Sequence, residues 1–124
     1  MKPTDILRGL SRSGYHDEDA FLEGTFDNER MKELEAIVDC YLKPGRYVNT
    51  EEGIAFICAT INKLCRNSDF WLDNKYTDYE VILALYNKGF KLLRNGQKVS
   101  VGVNEKSLQK LRSTANEADR EKHR

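Results

Sequence analysis

The sequence predicts an all-α fold, a compact irregular bundle of five or six helices with room for a short two-stranded element near 46–49 and 98–103. Three observations carry that expectation. Apolar side chains recur at helical spacing through 27–43, 50–66 and 77–94. Each run opens on a residue suited to cap a helix: Asp27, Thr50 or Thr77. Strand-like alternation is clear only at Val99, Val101 and Val103, and "RYVN" at 46–49 is the one short stretch able to pair with it.

Residues 4–12 read as a short helix with Thr4 as cap and Ile6, Leu7 and Leu10 on one face; Gly9 weakens it. Residues 16–23, "HDEDAFLE", read as a second, its first-turn acids suiting the positive end of a helix dipole. Along 27–43, Met31, Leu34, Ile37, Val38, Tyr41 and Leu42 share a face, and Pro44-Gly45 ends the run. Along 50–66 the stripe is Ile54, Ile57, Cys58, Ile61, Leu64 and Cys65, with Phe56 off it, which implies burial on more than one side. The loop 67–76 carries Phe70, Trp71 and Leu72. Thr77 and Glu80 form a capping box for a helix expected to reach Arg94, with Asn95-Gly96 as its stop. Residues 98–103 are a strand or an extended connector. Residues 104–124 form a last helix with a thin apolar edge of Leu108, Leu111 and Ala115. Residues 1–118 make a single domain, and the charged stretch 119–124 frays.

With 124 residues, 40% hydrophobic and 32% charged, the chain has the make-up of one soluble domain able to bury a core without staples. No apolar run approaches the ~20 residues of a membrane span. The N-terminus lacks a signal peptide's apolar core, so a cytoplasmic location and no membrane partner are expected. Three cysteines, Cys40, Cys58 and Cys65, without a CxxC pair, fit a reducing compartment.

The chemistry-bearing residues are sparse. His16 stands beside Asp17, Glu18 and Asp19, but neighbours on a helix point apart, so "HDED" is a solvated acidic turn rather than a metal site. A Ser-His or Cys-His device would have to use His16 or His123. There is no glycine-rich phosphate loop. The expectation is therefore no catalytic residues, no metal, no cofactor and no enzyme.

Charge supplies the binding hypotheses. The net charge is zero, against a general nucleic-acid binder. Yet residues 1–60 carry seven basic and twelve acidic side chains, and residues 61–124 thirteen and eight. From Asp17 to Asp39 there are nine acids and two bases. The first expectation is a small non-enzymatic intracellular protein that binds another protein: an inhibitor, an immunity or anti-defence protein, an adaptor or a small complex subunit. Its partner-binding residues would be Asp17, Glu18, Asp19, Glu23, Glu35, Asp39 and Trp71. Glu35 and Asp39, four apart, are a like-charge pair that costs a few tenths of a kcal/mol. Trp71 is read as a core plug or an interface anchor. The alternative is a nucleic-acid-binding regulator using the basic 88–112 segment through Lys88, Lys91, Arg94, Lys98 and Lys106. A homodimer through the valine segment or the last helix is a third arrangement.

Overall fold

In the computed structural model the described residues are 4–17, 19–48, 52–65, 75–96 and 98–122. Five strands among them overturn the all-α bundle: the fold is α+β, with two small antiparallel sheets beside the helices.

The first correction falls at the start of the chain. Helix α1 is a single turn, Thr4–Leu7, and the chain then folds into a hairpin of β1 (Leu10–Ser11) and β2 (Gly14–Tyr15), pairing Leu10 with Tyr15 and Ser11 with Gly14. Ser11 closes the turn: its Oγ accepts from the Ser13 N–H at 3.2 Å and donates to the Gly14 carbonyl at 3.1 Å. The described residues of the stretch 16–23 do not form an α-helix. Its backbone groups are taken by the hairpin instead, Gly9 N–H donating to Ala20 O and Leu22 N–H to Leu10 O. One 3₁₀ turn follows, Glu23–Thr25.

Helix α2 spans Asn28–Tyr41. Asp27 Oδ1 caps it, accepting from Glu29 N–H at 2.9 Å and Arg30 N–H at 3.1 Å. Strand β3 is Pro44–Val48, helix α3 is Glu52–Leu64 and helix α4 is Asp78–Asn87. Residues 66–74, with Trp71, lie outside the described residues, as does Glu18.

The second correction is where α4 stops. It ends at Asn87, seven residues before Arg94, in a Schellman motif. Phe90 N–H donates to Leu85 O, Gly89 N–H donates to Tyr86 O, and Gly89 takes the positive φ of 81° that the motif requires. The chain emerging from it is β4 (Leu92–Asn95), which turns through Gly96 (φ 67°) into β5 (Lys98–Val103). Asn95 faces Lys98 across this hairpin, and Leu92 faces Val101. Asn95-Gly96 therefore closes a hairpin rather than a helix.

The valine segment is the centre of a three-stranded sheet ordered β3-β5-β4. Val99, Val101 and Val103 are buried. Between β3 and β5 the register shifts, from Pro44 opposite Val103 to Val48 opposite Gly102. Helix α5 runs Glu105–Lys122. Asn104 opens it by accepting the Ser107 N–H through Oδ1. Helix α3 packs on α5 and β5, and α2 packs on α4. Leu10, Leu34, Ile57, Ile61, Leu85 and Leu111 fill the centre. No described helix is long and apolar enough to cross a membrane.

Candidate functional site

The acid that organises the molecule is Glu80, which sequence reading assigned only to a capping box. It is completely buried. Its Oε1 accepts the Thr77 N–H at 3.0 Å, while Thr77 Oγ1 accepts the Glu80 N–H at 3.2 Å, so the box is formed. The same carboxylate meets Arg30 from α2, with Nε at 3.2 Å from Oε2, and Arg12 from the β1–β2 turn, with Nε at 3.5 Å from Oε1. Arg30 also donates to Lys75 O and lies 5.0 Å from the Tyr76 ring centroid. Burial works against the Arg30 charge, but the Glu80 carboxylate outweighs it and raises the guanidinium pKa. Thr77 Oγ1 donates to Arg12 O at 2.7 Å. Three elements distant in sequence thus converge on one carboxylate, whose hydrogen-bonding sites are filled by the fold itself.

Beside this hub, α2 opens onto a cleft of about 310 Å³. Its floor is Met31 from α2, Leu83 from α4 and Phe26, each nearly buried, with half-buried Leu7 and Phe21 at the side. The Phe21 and Phe26 rings lie 5.8 Å apart, tilted by 34°. Asn28, Lys32 and Glu35 line it from the same face of α2, because residues three and four apart stack along a helix. Glu23 reaches the cleft from the 3₁₀ turn and Asn87 from the end of α4. An apolar floor with two acids and one base around it can hold an apolar side chain and favour a cation beside it.

Of the expected partner-binding acids, the structure brings Glu23 and Glu35 together at this cleft. Asp17 and Asp19 are exposed in the bend after β2, away from the lining. Asp39 is met by Lys88, with Nζ 3.1 Å from Oδ2, so the like-charge pair with Glu35 has a local counter-charge. The basic residues of the alternative do not form a helical face. Lys88 caps α4, and Lys91 lies between α4 and β4, in neither helix nor strand. Arg94 packs its guanidinium 3.8 Å from the Tyr15 ring centroid and donates to Arg8 O and Gly96 O, both at 2.7 Å. Lys98 opens β5 and Lys106 is exposed on α5.

His16 Nε2 lies 2.8 Å from Ser11 Oγ. Ser11 is 1% exposed and bonded within its own turn, so the pair locks the hairpin and presents no nucleophile to a substrate. Among the described residues no carboxylate hydrogen-bonds the His16 ring, and no group of three His, Cys, Asp or Glu side chains is placed to hold a metal ion. Cys58 is buried, its Sγ–H donating to Tyr76 O at 3.2 Å. Burial first, then the Asp78 charge, raises its thiol pKa far above the usual range. Burial also raises Cys65. Cys40 is exposed.

Searches of protein-family models, of curated proteins and of solved structures give no significant match to the chain.

Proposed function

We propose that this protein acts by binding another protein, and that the cleft between α2 and Phe21–Phe26 receives an apolar side chain from a positively charged segment of that partner. The observation that carries the reading is the convergence of Glu23 and Glu35 on a cleft floored by Phe26, Met31 and Leu83. Apolar anchors in desolvated pockets supply most interface affinity, and charges around them set partner choice and encounter rate. The acidic balance of the 17–39 stretch extends the same field beyond the cleft. Such a module suits an inhibitor, an immunity or anti-defence protein, an adaptor or a small complex subunit. It works without catalysis in the cytoplasm.

The test is capture of partners from native cells by the tagged full chain, with and without nuclease, using wild type and Glu23→Lys/Glu35→Lys in parallel. A discrete protein, retained after nuclease, should lose affinity about tenfold with the double reversal and weaken as salt rises. A partner indifferent to both acids would remove the cleft from the function. Loss of every partner on nuclease treatment would return the question to Lys88, Lys91, Lys98 and Lys106.

A further inference from the structure

A second cleft, of about 290 Å³, lies between α3 and α5 and is lined by Phe56, Ala59, Thr60, Lys63, Arg112 and Asn116. It differs from the α2 cleft in both respects that matter for recognition. Among the described residues its lining holds two cations and no acid, and its apolar element is a ring open to solvent. Phe56 is 37% exposed, on the side of α3 away from the buried Ile54, Ile57, Cys58 and Ile61. Ala59, one turn along, is too small to cover the ring.

The polar groups are arranged around that ring. Lys63 Nζ donates to Asn116 Oδ1 at 2.9 Å, which holds the ammonium at the cleft across the two helices. Arg112 places its guanidinium 6.0 Å from the Phe56 centroid, the outer limit of a cation–π contact. Among the described residues no carboxylate pairs with Arg112. The guanidinium gains little from the ring at that distance and is poised for an anion. Thr60 Oγ1 donates to Phe56 O at 2.7 Å and retains acceptor capacity toward the cleft.

We propose that this cleft binds a nucleotide, its base stacked on Phe56 and its phosphate held by Arg112 and Lys63. A flat π-face and a phosphate a few ångströms apart are the two features a nucleotide presents. An aromatic platform beside paired cations is the arrangement that stacking proteins use for either a free nucleotide or one unit of a single strand. The site is independent of the α2 cleft and of the binding function assigned to it.

The experiment is an amide-resolved NMR titration of the full chain with adenosine monophosphate, adenosine, inorganic phosphate and a short single-stranded oligonucleotide. Adenosine monophosphate should shift amides of α3 and α5 around Phe56 and Arg112. Adenosine and phosphate alone should each bind at least about tenfold more weakly. Phe56→Leu and Arg112→Gln should each weaken the nucleotide about tenfold, with unchanged spectra elsewhere showing that the fold is kept. Tighter binding of the oligonucleotide identifies a strand as the source, and no tighter binding identifies a free nucleotide. Phosphate matching adenosine monophosphate, shifts that survive both substitutions, or no saturable shift would each overturn the proposal.

Discussion

Glu80 serves two structures at once. As the third residue of α4 it completes the capping box with Thr77, and as a buried anion it holds Arg30 and Arg12. Removing one member of a buried pair leaves the other desolvated and unmatched, which costs more than the pair contributes. The arginine side chains keep 24% and 38% of their surface in water, which softens that cost. Glu80→Ala should therefore destabilise the fold by about 3 kcal/mol, read as a lower urea midpoint. Glu80→Gln should cost less, because it keeps an acceptor for the Thr77 N–H; equal losses would show that the acceptor contributes nothing and that the whole cost is the lost charge. The cysteines differ as sharply. Cys40 should alkylate at once in the native protein, and Cys58, buried with a raised thiol pKa, only on unfolding, as peptide mass spectrometry would read. The capping box was legible because its partners are three residues apart. Arg12 and Arg30 were not, since they meet Glu80 across 68 and 50 residues and no local pattern encodes that.

At the scale of elements, helical periodicity was a sound guide where a helix could continue and a poor one beyond its stop. Helices α2, α3 and α5 lie where the apolar stripes put them. Phe90 and Leu93 also fall at helical spacing from Tyr86, which extended the expected helix through β4. Backbone chemistry decides otherwise: Gly89 takes the left-handed conformation, and three residues later, at Leu92, the chain is paired with β5. The stretch 92–95 is too short to show alternation of its own, so of the two partners of β5 only β3, which overlaps the "RYVN" stretch, was visible. The same weakness hid the β1–β2 hairpin, whose strands are two residues each. Strand β3 comes close to the end of β5 at Gly45. A Cβ there would lie 2.5 Å from the Val103 carbonyl carbon and 2.8 Å from Asn104 N, both backbone, which cannot step aside as a side chain would. Gly45→Ala should thus cost about 2 kcal/mol and part β3 from β5. Gly24→Ala, which meets nothing within 4 Å, is the control and should be near neutral. Hydrogen exchange at Val103 and Asn104 would localise the damage; equal stability of the two variants would refute the close approach.

At the scale of the whole molecule, the candidate cleft shows why function was less legible than fold. Glu23 and Glu35 were both singled out for charge, yet nothing in their spacing placed them at one cleft. That neighbourhood exists because the Phe21–Phe26 segment gives up helix to pair with the hairpin and lays its rings beside Met31. The packing that builds the cleft also buries proton-bearing groups from separate elements, which sets the response of the entire fold to base. Tyr15 on β2 donates its hydroxyl to Ile6 O at 2.8 Å. Burial pushes its pKa from 10.0 up to about 12, with the nearby Arg94 charge pulling the other way. Burial likewise raises Tyr76, ahead of α4, above 10.0, and Cys58, on α3, above 9.0. Each folded pKa lies above its unfolded value, so each group adds stability that is complete below the unfolded pKa. As pH climbs past that value the unfolded chain releases a proton the folded chain still holds, and the balance moves toward unfolding. Stability should therefore hold up to about pH 9 and fall steadily from there to pH 12, in one transition, because the three groups pack into one connected core. Tyr15→Phe should lose about 1 kcal/mol at neutral pH with the Ile6 hydrogen bond, yet show a shallower decline above pH 10. Urea midpoints across that range decide the matter. An alkaline slope the same in Tyr15→Phe as in the native chain would mean that Tyr15 ionises as freely folded as unfolded, and that the hairpin does not shield it.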